Sequence, residues 1–263
     1  MNIYEICEQK LKYYRYSKHT VKIYLHYIAQ FLDRVQCAPS RLTAAHFQAY
    51  LDTYNFTSAS QQNQVINAIR FMYKEALGHK YTKVTFKRPR KVKHLPRVID
   101  KDYILQRISN IKNIKHKAIL SLAYSVGLRV SEVINLLISD IDSTRMVITI
   151  RQAKGRKDRI VPLTPEILDV LRKYYKEFKP VKYLFNGQFK PQYSATSCNS
   201  IVKKYLGEQY HFHLLRHSCF TNLTDHGIDL RVIQKLAGHQ SSRTTEIYTH
   251  VSTGLLKKLP LAL

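Results

Sequence analysis

The chain has 263 residues, 44% of them hydrophobic, and carries a formal net charge of +25 at pH 7. This length and apolar fraction suffice for one large domain or two smaller domains with buried cores. The charge excess favours a polyanionic partner. The most apolar stretch, residues 118–138, is interrupted by Arg129 and Glu132, which excludes a transmembrane helix. The N-terminus lacks the apolar segment of a secretory signal.

The four cysteines lie far apart and form no C-x-x-C pair. This usage is typical of a reducing compartment and argues against a structural zinc site. Composition therefore predicts a basic, cytoplasmic protein with no membrane association.

The positive charge is spread over both halves of the chain. Residues 1–95 contain 16 basic and 5 acidic side chains, and residues 96–263 contain 27 and 13. Between them, residues 83–97 contain seven basic residues, two prolines and no acid. Proline and like-charge repulsion both favour an extended segment, and the charge density favours phosphate contact over a merely solvated loop. We predict a DNA-binding domain over 1–82, a basic linker over 83–97 and a second domain over 98–263, which together form a clamp on DNA.

The N-terminal half has the periodicity of a small helical bundle. Apolar residues recur at three- and four-residue steps after Ser17 or Thr20, which predicts a helix to about Leu32. Further helices are predicted over about 43–51 and from Ser58 or Ser60 to near Gly78. Five tyrosines lie among lysines and arginines, where helical spacing favours core packing over stacking on bases. These are Tyr13, Tyr14, Tyr16, Tyr24 and Tyr27.

The C-terminal half mixes helices with a β-hairpin. The hairpin is predicted from strands over 146–150 and 160–163, and Pro162 places the second strand at an edge or near its end. The predicted helices cover 101–110, 115–126, 130–137, 165–178, 194–206, 213–226 and 229–236. The expected fold is mainly α-helical in two domains, with a small β-sheet in the C-terminal one.

Two of the four local patterns with chemical meaning lie near the start of this half. In Gly127-Leu-Arg-Val-Ser-Glu132, a helix ends at Gly127, Ser131 helps to start the next helix, and Arg129 lies in the turn. A guanidinium held there can meet two phosphate oxygens, although a surface ion pair with Glu132 explains the same residues. The second pattern is the hairpin tip 153–159, where Lys154 is either a solvated cation or a proton donor in a DNA groove.

The other two patterns follow further along the chain. In His213-Leu-Leu-Arg-His217, residues 213, 216 and 217 share one helix face. Two histidines at this spacing can bind zinc, but no third ligand is indicated, and His217 is expected to be structural. In residues 236–250, a turn at Gly238 exposes His239 and Tyr248 follows nine residues later. With 19 tyrosines in the chain, composition alone does not distinguish this tyrosine from a buried structural one.

In chain order, the patterns G-L-R-x-S-E, A-K-G-x-K-x-R-x-V-P-L, H-x-L-R-H, G-H and T-T-x-x-Y-T-H resemble the tyrosine recombinase (phage integrase) family. The N-terminal half is similar more loosely to the helical core-binding domain of that family, through Ser17, Thr20, Tyr24 and Phe31. The chain resembles Xer-like or mobile-element recombinases without a separate arm-binding domain. It departs from the family at Ala153, often glycine, and at Ala237, often leucine; neither position supplies a reacting group.

The resemblance implies that Tyr248 is the nucleophile and forms a 3′-phosphotyrosyl bond to DNA. It implies that Arg129 and Arg216 hold the phosphate oxygens and that His239 donates a further hydrogen bond. By the same resemblance, Lys154 is the general acid and His213 assists in deprotonating Tyr248. No divalent metal or other cofactor is expected. Basic residues of the linker and the hairpin are candidate DNA contacts: Lys87, Arg88, Arg90, Lys91, Lys93, Arg156, Lys157 and Arg159.

The partners implied by the resemblance are double-stranded DNA recombination sites and three further copies of the chain, assembled as a tetramer on paired sites. An accessory recombinase or excision factor is a candidate further partner. The apolar tail, residues 255–263, is expected to dock on a neighbouring protomer or on its own domain. Two alternatives remain at this point: a type IB topoisomerase that nicks and reseals one duplex, and a DNA-binding regulator with an inactive site.

Overall fold

The computed structural model describes residues 2–78, 88, 97–151, 158–239 and 241–249, with residue 243 described by its backbone alone. The chain divides into two compact units, residues 1–93 and 94–263. Among the described residues, no helix is both long enough and apolar enough to cross a membrane.

The described residues of the first unit form helices joined by short irregular segments, without a strand. Its helices are α1 (Ile3–Tyr13), α2 (Lys18–Val35), α3 (Ala44–Thr53) and α4 (Ala59–Phe71), and α4 continues into a π-helical turn over Met72–Ala76. Ser17 and Ser58 cap α2 and α4 by accepting the backbone N–H groups of Thr20 and Gln61. These caps satisfy N–H groups that have no partner inside a helix, which explains why the helices begin where they do.

The tyrosine cluster of this unit is arranged differently from the prediction. Tyr27 is buried, whereas Tyr13, Tyr14 and Tyr16 are exposed by 81%, 48% and 41%. The prediction of core packing is therefore wrong for these three residues. They lie at and after the end of α1, where the chain leaves the helix and the periodic argument no longer applies.

The second unit contains eight helices in its described part. They are α5 (Lys101–Ser109), α6 (Ile114–Ser125), α7 (Val130–Asn135), α8 (Pro165–Phe178), α9 (Ala195–Leu206), α10 (Phe212–Asp225), α11 (Leu230–Ala237) and α12 (Arg243–Glu246). Helix α6 is buried on most sides by α5, α8, α9 and α10, because six of its apolar or aromatic residues lie in the core. It is the central helix of the second unit.

The described strands form one antiparallel sheet in the order β1 (Ile141–Asp142), β2 (Val147–Ile150) and β3 (Arg159–Pro162). Ile150 pairs with Arg159 and Val147 with Pro162, so Pro162 ends an edge strand, as predicted. The fold class, mainly helical with a small sheet in the C-terminal domain, is confirmed. The hairpin tip at 152–157 and most of the linker lie outside the described residues.

Candidate active site

A cavity of about 360 Å³ in the second unit brings together residues from the turn before α7, from α10 and from the segment after α11. Its lining includes five of the six predicted catalytic residues: Arg129, His213, Arg216, His239 and Tyr248. The sixth, Lys154, lies outside the described residues. The cavity is rich in donors and poor in carboxylates, so it favours an anionic group.

Arg216 is the most buried cation of the cavity, with only 1% of its surface exposed. Its guanidinium donates to the carbonyl oxygens of Gly127 and Ala237, both at 2.6 Å, and lies over the ring of Phe220 at 4.7 Å. Burial, followed by the charge of Arg129, lowers the pKa of Arg216 to about 10, so the side chain stays charged near neutrality. These contacts fix the guanidinium between α6, α10 and α11.

The turn before α7 supplies the carbonyl oxygen of Gly127 that accepts a hydrogen bond from Arg216. Gly127 adopts a φ of +62°, and a Cβ atom at this position would lie 2.6 Å from the Phe220 ring. Only glycine adopts this conformation readily and leaves room for the ring. The N-cap of α7 is Arg129 and not Ser131, because the Glu132 carboxylate accepts the Arg129 backbone N–H at 2.8 Å.

Glu132 links the two arginines that flank the cavity. Its side chain is buried and accepts hydrogen bonds from the guanidinium groups of Arg129, at 2.8 Å, and Arg159, at 2.8 and 2.9 Å. Burial alone would raise the pKa of Glu132, but the hydrogen bonds and charge of Arg159, with those of Arg129, lower it to about 2. The surface ion pair considered from the sequence is therefore a buried bridge that orients Arg129.

Arg159, a predicted DNA contact, is paired inside the protein. Its side chain is 9% exposed, and its Nε atom donates to the carbonyl oxygen of Leu236 at 2.8 Å. In the DNA-free structure Arg159 therefore ties β3 to Glu132 and to the end of α11, and its contact with DNA stays a prediction. Of the other DNA-binding candidates, Arg88 donates to Asn63 and Asn67 at the surface of α4. The remainder lie outside the described residues: Lys87, Arg90, Lys91, Lys93, Arg156 and Lys157.

His239 follows the left-handed cap of α11 at Gly238, as the sequence predicted for a turn. Its Nε2 atom lies 3.0 Å from Nη2 of Arg216, and its Nδ1 atom lies 2.9 Å from Oγ1 of Thr245. Sequence reasoning did not identify Thr245, which is 1% exposed and belongs to α12. The only signal was its position within T-T-x-x-Y, three residues before Tyr248.

Tyr248 is almost completely buried, with 1% of its surface exposed. Its ring lies 5.4 Å from that of Phe220, 5.7 Å from that of His217 and 6.4 Å from that of His239, measured between centroids. Burial raises the pKa of Tyr248 to about 12, and the charges of Arg216 and Arg129 oppose the increase. In the DNA-free protein the phenol is therefore protonated and covered.

Two histidines of α10 complete the cavity. Burial lowers the pKa of His217 to about 4, and desolvation with the charge of Arg216 lowers that of His213, so both rings are neutral near pH 7. Their centroids are 4.6 Å apart, and the buried Nδ1 atom of His217 has no hydrogen-bond partner in the described structure. Within the described ranges, no group of three metal-ligating side chains includes this pair.

Comparison with known proteins identifies the family. Residues 97–254 match the model of the phage integrase family, and residues 3–83 match that of the phage integrase N-terminal SAM-like domain. The chain is 34% identical over 250 residues to tyrosine recombinase XerA of Pyrococcus horikoshii, covering 92% of this chain and 86% of XerA. It is 32% identical to a putative integrase/recombinase of Sinorhizobium fredii, over 79% of this chain and 85% of that protein.

Solved structures of recombinases resemble the chain in fold as well. The crystal structure of XerA recombinase covers 97% of this chain and 95% of its own, with a TM-score of 0.56 and 28% identity. The post-cleavage complex of XerH site-specific recombinase with palindromic difH substrate has the same fold, with a TM-score of 0.74 and 21% identity over 90% of this chain and 78% of XerH. The chain belongs to the phage integrase family. Within it, the protein is a tyrosine-type site-specific recombinase that acts on DNA sites, similar to the Xer enzymes.

Proposed function

We propose that Tyr248 is the nucleophile that attacks a DNA phosphodiester, forms a 3′-phosphotyrosyl bond and releases a 5′-hydroxyl. The observation that supports this assignment is the single cavity in which Tyr248 lies with Arg129, Arg216, His213 and His239. Both arginines there carry donors in the planar fork that matches phosphate oxygens. The developing negative charge of the transition state is thus met by groups already in place.

The roles of the other residues follow from the needs of this reaction. A phenol with a pKa of about 12 must lose its proton as it attacks. His213 is held neutral by its low pKa and is the proposed acceptor. Lys154 is the proposed general acid for the departing 5′-oxygen, and Arg129, Arg216 and His239 are the proposed ligands of the phosphate oxygens. The 5′-hydroxyl of a second strand then reverses the step, which exchanges strands.

Because Tyr248 is buried, the phosphate cannot reach it without a change in the protein. Its hydroxyl is covered in the DNA-free protein, so the segment that carries it, residues 243–249, must move relative to α10 or admit the phosphate into the cavity. We propose that DNA binding supplies the energy for this change. A phosphate that takes hydrogen bonds from Arg216 replaces the carbonyl oxygens that this side chain contacts in the free protein.

The test of the nucleophile is Tyr248→Phe, assayed on nicked duplexes that trap covalent protein–DNA complexes. The wild-type protein should form an adduct at residue 248, and the variant should bind DNA with unchanged affinity and form none. Tyr174→Phe, at another fully buried tyrosine of the same unit, is the matched control and should leave the adduct intact. An adduct that persists in Tyr248→Phe would remove the assignment.

Lys154 is tested separately, because its proposed role is confined to the leaving group. Lys154→Ala should cleave ordinary DNA slowly and should recover on a substrate whose 5′-bridging oxygen is replaced by sulfur, which departs without protonation. Failure of this substrate to restore cleavage would exclude Lys154 as the acid. The Tyr248→Phe variant should not recover on the same substrate, since it lacks the attacking group.

We further propose that residues 1–82 bind DNA, that the linker 83–97 lies along phosphates and that residues 98–263 carry catalysis. Arg88 is anchored to Asn63 and Asn67, which suits a residue that follows the surface of α4. Neutralising Lys87, Arg88, Arg90 and Lys91 should reduce the dependence of log affinity on log salt by up to about 3–4, since each lost phosphate contact contributes about 0.9. An unchanged slope would place the linker away from DNA.

The active assembly that we propose is a tetramer on two paired recombination sites, with the tail 255–263 docked on a neighbouring protomer. Exchange between two duplexes breaks four strands, so four sites are required. Deleting residues 255–263 should leave binding to a single site intact and reduce the tetrameric complex measured by light scattering. If the tail instead packs on its own domain, its deletion should lower the stability of the isolated chain. An accessory recombinase or excision factor would act on this assembly.

A further inference from the structure

The contact between His239 and Thr245 determines which nitrogen of the imidazole carries the proton. Nη2 of Arg216 lies 3.0 Å from Nε2, and a guanidinium has donors but no acceptor. Nε2 must therefore accept. A neutral imidazole then carries its proton on Nδ1, which donates to Oγ1 of Thr245 at 2.9 Å. A ring protonated on both nitrogens would point an Nε2–H group at a guanidinium that has no acceptor.

This tautomer is the wrong one for the proposed reaction. The nitrogen beside Arg216 is the one that would meet a phosphate held by that arginine, and there it must donate. In the DNA-free protein Nε2 has no proton to give. His239 therefore needs its proton on Nε2 when DNA is bound, and Nδ1 then becomes an acceptor that faces Thr245.

Thr245 is suited to both states, since a hydroxyl accepts and donates. It is 1% exposed, so solvent does not replace it as a partner of Nδ1. We propose that Thr245 is a positioning residue that allows His239 to exchange tautomers when phosphate binds. During the movement of residues 243–249 that we propose for DNA binding, Nδ1 gives its proton to water and Nε2 takes another from water. The Thr245 hydroxyl then turns from acceptor to donor, and the net charge is unchanged. This inference rests on the proposed role of His239 at the phosphate.

The first test compares Thr245→Val with Thr245→Ser in the formation of the covalent complex on nicked DNA. Valine keeps the shape but removes the hydroxyl that pairs with Nδ1, and we expect the reaction to slow about ten- to hundred-fold. Serine retains the hydroxyl and should restore most of the rate. Thr224→Val is the matched control, because Thr224 is equally buried but its hydroxyl donates to Phe220 within α10.

A double-mutant cycle distinguishes positioning of His239 from general support of the segment. In a His239→Ala background, Thr245→Val should cause no further loss of rate, because the group through which it acts is gone. If the loss is the same in both backgrounds, Thr245 has a merely structural role and the proposal is overturned. Equal rates for Thr245→Val and the wild type overturn it as well.

The second test observes the proton itself by nitrogen-15 NMR of the imidazole of His239. The free protein should show the proton on Nδ1, and a complex of Tyr248→Phe with uncleaved DNA should show it on Nε2. A doubly protonated ring in that complex, or a proton that stays on Nδ1, would refute the exchange. A wild-type protein that forms no covalent complex would instead refute the proposed function, whereas a wild-type adduct with an unaffected Thr245→Val refutes this inference alone.

Discussion

Replacing Glu132 by glutamine tests the bridge that holds the cavity together. The carboxylate is buried between Arg129 and Arg159, and its pKa falls from an ordinary value of 4.5 to about 2. A pKa difference of this size between the unfolded and folded chain corresponds to about 3 kcal/mol of folding free energy at neutral pH. Glu132→Gln should therefore lower the free energy of unfolding of the second unit by about that amount at pH 7.

The pH dependence of the difference follows from the direction of the shift. Because the folded-state pKa is the lower one, the contribution of Glu132 is complete above the unfolded pKa. It decreases as the pH falls from about 4.5 and is lost near pH 2. The difference between wild type and Glu132→Gln should thus be constant from pH 7 to pH 5 and shrink steadily below.

Urea unfolding followed by hydrogen exchange of peptides from α6 measures this difference, because it reports on the second unit alone. Glu177→Gln, at an exposed carboxylate of α8, is the control and should leave the curve unchanged at every pH. A deficit in Glu132→Gln that does not shrink between pH 5 and pH 3 would refute the reasoning. It would mean that glutamine disturbs packing and that the charge of Glu132 contributes little.

Three further substitutions have expected outcomes. Gly127→Ala forces a Cβ atom against the Phe220 ring and also strains the backbone. It should lower the free energy of unfolding, measured in urea, by at least about 2 kcal/mol and should slow cleavage. Gly227→Ala, with a φ of +78° and no neighbouring atom, should cost only the strain of about 1 kcal/mol. Thr221→Val removes a buried hydroxyl that has no partner among the described residues and should raise the free energy of unfolding by up to about 1 kcal/mol, whereas a loss of stability would indicate a further partner.

The sequence by itself determined the local structure well. Of the two start signals that the sequence offered for each helix, the structure uses Ser17 for α2 and Ser58 for α4, and the strands predicted over 146–150 and 160–163 form β2 and β3. These features depend on backbone groups and side chains that are a few residues apart, so a single sequence is enough to predict them. Helix α1 was not predicted, because its apolar residues Ile3, Cys7 and Leu11 form a narrow stripe at the chain terminus.

The order of motifs identified the family and proposed the six catalytic residues, but it did not reveal what holds them. Glu132 looked like a surface partner of Arg129, and Arg159 looked like a DNA contact. Glu132 is buried, and the Arg159 side chain is only 9% exposed and holds β3 to the end of α11 through a hydrogen bond between residues 77 positions apart. The role of Thr245 can be inferred only because the fold brings Nδ1 of His239 within 2.9 Å of its hydroxyl oxygen. Burial and charge pairing depend on neighbours distant in sequence, and only the tertiary structure supplies them.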